Sequence, residues 1–214
     1  MQKLINQTQE FLYDVLSQSE YDQHEIDYRY EHSLRVANIG LDLAVKEKAN
    51  KKVVVLGCLL HDLGKFESEK GIDHGRVSAE LAKPYLKTLN ISEKEIADIC
   101  FSIATHVDGE AGYEYEDIIE AKVVTDADNI DRFSSSKILQ TKLWELKDDP
   151  KSKLEKIEDL QNHIKKLEEF LVRDRLETPS GNCLFKDKVD MQLHFYSSLI
   201  LDLKITTTPQ WSFD

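Results

Sequence analysis

Along Tyr28 to Lys48 the apolar residues Tyr30, Leu34, Ala37, Leu41 and Ala44 recur at alternating steps of four and three, which predicts one face of a helix. A second stripe, His32, Val36, Ile39 and Leu43, lies opposite. A helix apolar on two sides is sandwiched between neighbours, and a histidine belongs to one of its buried stripes. Val53 to Leu63 is apolar nearly throughout. Its Val-Val-Val start suits a buried strand as well as a helix, but its length and the following Gly64 favour a buried helix capped by glycine. A polar loop, Phe66 to Asp73, leads to a helix from about His74 to Leu89 with Val77, Leu81, Tyr85 and Leu89 on one face. Pro84 inside it should bend it or mark a late start. Ser92 and Glu95 have capping-box spacing and open a helix whose core face is Ile96, Ile99, Cys100, Ile103 and Val107. After a loop at Asp108 to Gly112, Ile119, Val123, Ala127 and Ile130 again have helical spacing. Lys151 to Leu176 carries Leu154, Ile157, Ile164, Leu167 and Leu171 among dense charge, and reads as an amphipathic helix on the core rather than a coiled-coil seam. Thr178-Pro-Ser-Gly181 reads as a break. A last helix from about Asp187 to Leu203 follows, with Val189, Leu193, Tyr196 and Ile200. The pattern predicts an all-α protein.

Composition supports that reading. The chain has 214 residues with only 8 glycines and 4 prolines, too few for a sandwich or barrel with a turn every ten residues or so. The length suits one ordinary domain. A net charge of −12 makes a nucleic-acid duplex a poor partner, because phosphate binding needs excess Lys and Arg. A phosphate-bearing ligand would have to be attracted by something other than net charge, and a bound metal is the natural candidate. Cys58, Cys100 and Cys183 are widely separated and odd in number, which argues for reduced thiols rather than a disulfide framework. Met1 to Glu20 has no uninterrupted apolar stretch and reads as no signal peptide. The longest apolar run, Val53 to Leu60, is far too short to span a bilayer. The expectation is a cytoplasmic protein with no membrane contact.

Of the seven histidines, His32, His61, His74 and His106 fall at core-facing edges of successive predicted helices. His61 is followed at once by Asp62 at the end of the most apolar segment, where an ionisable pair is costly unless hydrogen-bonded, paired or bound to metal. Taken singly, His61-Asp62 reads equally well as a capped helix end, and His32 as a core histidine. Taken together, four such histidines on successive helices are harder to explain as coincidence.

The segments Glu31-His-Ser-Leu-Arg-Val36, Leu59-Leu-His-Asp-Leu-Gly-Lys65 and Thr125-Asp-Ala-Asp-Asn-Ile-Asp131 resemble the ordered His…His-Asp…Asp signature of the HD-domain superfamily, whose members are helical metal-dependent phosphohydrolases. The resemblance covers about residues 28 to 133. It implies an HD-domain helical bundle over residues 1–146, with residues 147–214 as a C-terminal helical extension packed on it in a single domain overall. The family's Ala-Asp motif carries over to Asp128 rather than to Asp126 or Asp131. Asp73-His-Gly-Arg-Val-Ser-Ala79 and Ile103-Ala-Thr-His106 are similar to the additions found in the two-metal subset. The implied ligand set is therefore His32, His61, Asp62, His74, His106 and Asp128, with Asp62 as the bridging carboxylate. Four imidazoles with two carboxylates suit two divalent transition metals (iron, manganese, cobalt, nickel or zinc) better than a magnesium-only site. Lys65 is placed to bind a phosphate oxygen or protonate a leaving group, or else to complement a helix C-terminus. Arg35 and Arg132 either clamp phosphate or pair with neighbouring carboxylates.

The function implied is hydrolysis of a phosphate ester or anhydride of a small phosphorylated molecule, a nucleotide by resemblance, through a metal-activated hydroxide. No Gly-rich phosphate loop is present, no Gly-Tyr-Pro marks the cyclic-dinucleotide branch, and no alarmone-type synthetase domain accompanies the motif. Two alternatives remain open: an HD-type di-iron oxygenase, which uses the same six ligands, and a non-catalytic metal-containing regulatory or ligand-binding domain. Trp144 and Trp211 carry no motif. The residues from Lys147 on are open to three roles: covering the site mouth, supplying specificity or building a homodimer contact.

Overall fold

The computed structural model describes residues 1–68, 71–139 and 151–204. Among these residues the protein is all-α, with no strand. They group into two compact units, one of residues 1–132 with 176–182, the other of the described residues within 133–175 and from 183 onward. The expected division at residue 146, and Trp144 and Trp211, lie outside the described residues. No helix among the described residues is long and apolar enough to cross a membrane.

The first unit is built around α3 (Lys51–Leu60), buried at every position from Val53 to Leu60. So apolar a segment can be stable only where neighbours cover all its sides. Those neighbours are α1 (Gln2–Ser17), α2 (Gln23–Glu47), α4 (His74–Leu86), α5 (Glu93–Thr105) and α6 (Ile119–Asp131). Gly40 lets α2 close on α3, since a Cβ there would fall 2.6 Å from the Cys58 sulfur. Helix starts follow local chemistry. The Asp22 carboxylate accepts from the Glu25 amide at 3.0 Å, the Asn50 side chain accepts from the Lys52 amide at 3.0 Å, and Ser92 with Glu95 forms the predicted capping box. Both predicted stripes of α2 are helical and both contribute buried residues: His32, Val36 and Leu43 of the second and Ala37 and Ala44 of the first are buried, whereas Leu41 of the first is exposed.

Three local expectations are corrected. First, α3 ends at Leu60, and Gly64 is not its cap. Gly64 sits in the following turn because α4 passes so close that a Cβ would meet the Ser78 nitrogen at 2.7 Å. Second, α4 runs only to Leu86, two residues past Pro84, consistent with the amide that proline cannot donate. Third, Thr178-Pro-Ser-Gly181 is a helix start and not a break. Thr178 Oγ1 accepts from the Gly181 amide at 3.0 Å and Pro179 takes the first helical position, where a missing N–H costs nothing. That helix runs from Pro179 to Lys204; with α7 (Lys153–Arg173) before it, it becomes α8.

The second unit contains α7, opened by a capping box at Ser152 and Glu155, and the larger part of α8. Ile157, Leu160 and Leu167 of α7 and Phe185, Val189, Tyr196 and Ile200 of α8 are buried. Phe133 meets Phe170 and Phe185 edge-on. Leu154, expected on the apolar seam of α7, is exposed, while Leu160, outside the expected set, is buried.

Candidate metal centre

Two candidate ligands lie within helices and four at helix ends. His32 lies in α2 and Asp128 in α6; His61 is the residue that ends α3, with Asp62 beside it; His74 is the first residue of α4; His106 ends α5. The first unit brings all six together. His32, His61, Asp62, His74 and His106 are buried, and the Asp128 carboxylate keeps 23% of its surface exposed. Gly75 permits the meeting of α4 with α5, because a Cβ there would fall 2.7 Å from the Ala104 carbonyl oxygen and 3.2 Å from His106 Nδ1.

The orientation of the imidazoles decides what the cluster can hold. His61 Nδ1 lies 2.7 Å from the Cys58 carbonyl oxygen, His106 Nδ1 lies 2.7 Å from that of Ile103, and His74 Nδ1 contacts that of Gly71. A carbonyl only accepts, so each of these Nδ1 atoms carries the proton. His32 Nδ1 donates to the Asp131 carboxylate at 2.8 Å. All four rings therefore turn Nε2 inward. His32 and His61 Nε2 stand 3.2 Å apart, and His74 and His106 Nε2 stand 3.1 Å apart. Asp62 lies between the pairs, with Oδ1 3.0 Å from His74 Nε2, 3.8 Å from His106 Nε2 and 3.9 Å from His61 Nε2, and with Oδ2 3.9 Å from His32 Nε2. Asp128 Oδ1 is 3.2 Å from His32 Nε2 and 3.5 Å from His61 Nε2.

Facing lone pairs at such separations, with two carboxylates among them, are unfavourable unless protons or cations fill the middle. The chain's own charges show the competition. Burial disfavours a charged His32, but its hydrogen bonds to Asp128 and Asp131 prevail and push its pKa up to about 10. Burial, aided by the neighbouring His61, pushes His106 down to about 4. Asp62 and Asp128 are held far below the usual carboxylate range, against the effect of burial, by the histidines around them. Ionised carboxylates and inward nitrogen lone pairs are the donor set of a transition metal. Three-residue groups able to hold an ion form from His32, His61 and Asp62, from His61, His106 and Asp128, and from Asp62, His74 and His106. The residues fit a metal centre.

The surroundings orient these ligands. Asp131 joins His32 to Arg35, whose Nε donates to it at 3.0 Å, so Arg35 takes the carboxylate-pairing role. Arg132 is exposed and donates to Asn129 of its own helix at 3.2 Å, with no described contact to the cluster. Lys65 Nζ lies 3.1 Å from His74 Nε2 and 3.7 Å from Asp62 Oδ1. The contacts of two further residues were not assigned from the sequence. Arg29 reaches Asp62 Oδ2 at 3.5 Å while bonded to Glu25 at 2.8 Å; its position three residues before His32 put it on the same side of α2. Asp131 follows Asp128 by three residues, a spacing that carried the same signal. Asp126 serves elsewhere, accepting from the amides of Glu177 and Thr178 at 2.8 Å and from Thr178 Oγ1 at 2.6 Å.

A helical unit that gathers His32, His61-Asp62, His74, His106 and Asp128 from successive helices defines the class as an HD domain. The HD-domain family profile matches residues 29–132, just under half of the chain and including all six candidate ligands, which identifies this segment as an HD domain. Its fold is that of HD-superfamily hydrolases of known structure. An HD-superfamily hydrolase from Bacillus thuringiensis superposes with a TM-score of 0.67 at 16% identity, over 96% of this chain and 99% of that one. A predicted HD superfamily hydrolase from an uncultured Thermotogales bacterium gives 0.63 at 17%, over 90% and 91%. Bacillus subtilis YpgQ, in complex with ADP, gives 0.60 at 20%, over 94% and 95%. In sequence, 153 residues (68% of the chain) are 28% identical to part of the tRNA (cytidine(56)-2'-O)-methyltransferase of Thermoplasma volcanium, and the matched part is 42% of that protein's length.

Proposed function

We propose that this HD domain is a metal-dependent phosphohydrolase that cleaves a phosphate ester or anhydride of a small molecule, a nucleotide by preference. The observation that carries the reading is the position of Asp62, whose carboxylate belongs to a three-residue group on each side of the histidine cluster. His32, His61, Asp62 and Asp128 would hold one divalent transition metal and Asp62, His74 and His106 a second, which together supply Lewis acidity and an activated water at neutral pH. Asp131 and the backbone carbonyls of Cys58, Gly71 and Ile103 keep every Nε2 turned inward. Lys65 and Arg29 bring two cations to the Asp62 side of the cluster, where they can bind phosphoryl oxygens in an otherwise acidic chain. Lys65 Nζ is also the group able to give a proton to the departing oxygen. The partly exposed Asp128 carboxylate marks the side open to substrate. The preference for a nucleotide draws on the ADP complex of B. subtilis YpgQ.

The test is release of phosphate from a broad panel of phosphorylated metabolites by chain reloaded with Mn2+, Co2+, Ni2+, Fe2+ or Zn2+. Turnover should require metal and fall by at least about 100-fold in His61→Ala and Asp62→Ala, with the helical circular dichroism unchanged. A loss of only two- or threefold would overturn the reading. So would oxygen uptake by the iron-loaded protein without phosphate release.

A further inference from the structure

We propose that Arg76, which touches none of the six candidate ligands, is a positioning residue that fixes the His74–His106 half of the centre. The inference rests on the two-metal reading above. The two halves are not built alike. His32, which shares its half with His61 at the end of α3 and Asp128 in the last turn of α6, projects from the interior of α2, where the backbone is bonded on both sides. His74 and His106 stand at the first and last turns of their helices, where the backbone has fewer intrahelical bonds to hold it. Their separation depends on how the chain just before α4 is tied to the chain just after α5.

The Arg76 side chain makes that tie. Arg76 NH2 donates to Asp73 Oδ1 at 2.6 Å and to the Ile72 carbonyl at 3.3 Å, immediately before His74. Its NH1 donates to Asp108 Oδ1 at 3.0 Å, to Asp108 Oδ2 at 3.1 Å and to the Glu110 carbonyl at 2.7 Å, just after His106. The planar guanidinium sets these acceptors at fixed angles to one another, which a lysine ammonium cannot do. The Arg76 side chain is 27% exposed and fills no part of the apolar core, so the fold should survive its loss. The same loop has an independent anchor further on, where Lys94 pairs with Glu116 and with Asp98. That anchor lies away from both histidines in sequence and supplies the control.

The experiment is a titration of the metal-stripped full chain with Co2+ alone, by calorimetry and metal analysis, with circular dichroism as the fold check. Wild type should take up two ions. Arg76→Gln should keep the first affinity and weaken the second by about tenfold, the low end of the loss when a group bonded directly to a metal ligand is removed, because Arg76 acts through the chain beside the ligands. Arg76→Lys should recover only part of the loss, and Lys94→Gln should leave both affinities unchanged. If Arg76→Gln fails to fold, Asp108→Asn carries the same expectation. Two wild-type affinities in the folded variant, equal weakening of both sites, or an equal effect from Lys94→Gln would each overturn the proposal. Fewer than two ions in wild type would instead remove the two-metal reading, and this inference with it, so the two failures are told apart by which protein shows them.

Discussion

Asp131→Asn tests the metal centre at a residue that is not itself a candidate ligand. The Asp131 carboxylate is buried and receives His32 Nδ1 at 2.8 Å, Arg35 Nε at 3.0 Å and Arg35 NH2 at 3.2 Å. Asparagine keeps the size, removes the charge and turns one oxygen into an N–H donor. An oxygen kept in the place of Oδ2 still accepts from His32 Nδ1 and Arg35 NH2, while the new N–H in the place of Oδ1 confronts Arg35 Nε. The Arg35 side chain is 27% exposed and the His32 side chain 8%, so the arginine turns to water and the remaining oxygen stays on His32. Losing the charge-assisted pair and mismatching a buried donor costs about 1–3 kcal/mol of folding stability. The effect on metal is separate. Removing the carboxylate that orients and polarises a ligating imidazole lowers affinity about 10–100-fold, or about 1.4–2.8 kcal/mol. Asp126→Asn is the matched control, since Asp126 is equally buried on the same helix but bonds only to Glu177 and Thr178 among the described residues. Urea unfolding should show both variants destabilised, and calorimetric titration with Co2+ should show weakened binding in Asp131→Asn alone. Equal metal affinities in the two variants would refute the assignment of Asp131 as the brace of His32.

Two further outcomes follow from the packing and the caps. Gly75→Ala should cost about 1–3 kcal/mol in urea unfolding and reduce metal uptake, because its Cβ would push α4 off the Ala104 and Ile103 carbonyls; an unchanged midpoint and metal count would mean that the helix ends have slack. Glu95→Gln should lower stability by about 1 kcal/mol at neutral pH. The bond from Lys52, then that from the Ser92 amide, lowers the Glu95 carboxyl to about 2 from an ordinary 4.5. Its stabilisation is thus present above 4.5 and lost as pH falls toward 2, so the gap between variant and wild type should close over that window; an equal gap at pH 7 and pH 2 would contradict the sign.

What could be read in the sequence was what depends on near neighbours. Ser92 and Glu95 announce a helix start because both members of the box lie within four residues, and the stripes of α2 are legible because helical period alone places them. The ordered histidines with Asp62 and Asp128 were legible as a set. Gly64 misled because its reason is tertiary: it makes room for the backbone of α4, and a glycine near a helix end looks the same whether it caps or yields space. Thr178-Pro179 misled for a related reason, since proline after threonine both breaks a preceding helix and begins a new one. The contacts of Arg29 and Asp131 were not legible because their partners, Asp62 and His32, lie 33 and 99 residues away. Arg76 lies two residues after His74, with nothing in the sequence to show that some of its acceptors follow His106.

The three aspartates of α6 bear on how the chain assembles. Asp126, Asp128, Asn129 and Asp131 fall within six residues of one helix, and these are poor helix formers whose side chains compete for the backbone. Asp128 and Asp131 also stand three apart, where like charges repel. Cut from the chain, this segment has little reason to coil. Its helical state is supported by Thr178 on one side, by His32 and Arg35 on another, and by the apolar contacts of Val123, Ala127 and Ile130 with the core. During folding, then, α6 should settle only after α2 and α3 have met. The segment that carries the final carboxylate would be a late arrival, ordered by the very groups it goes on to organise.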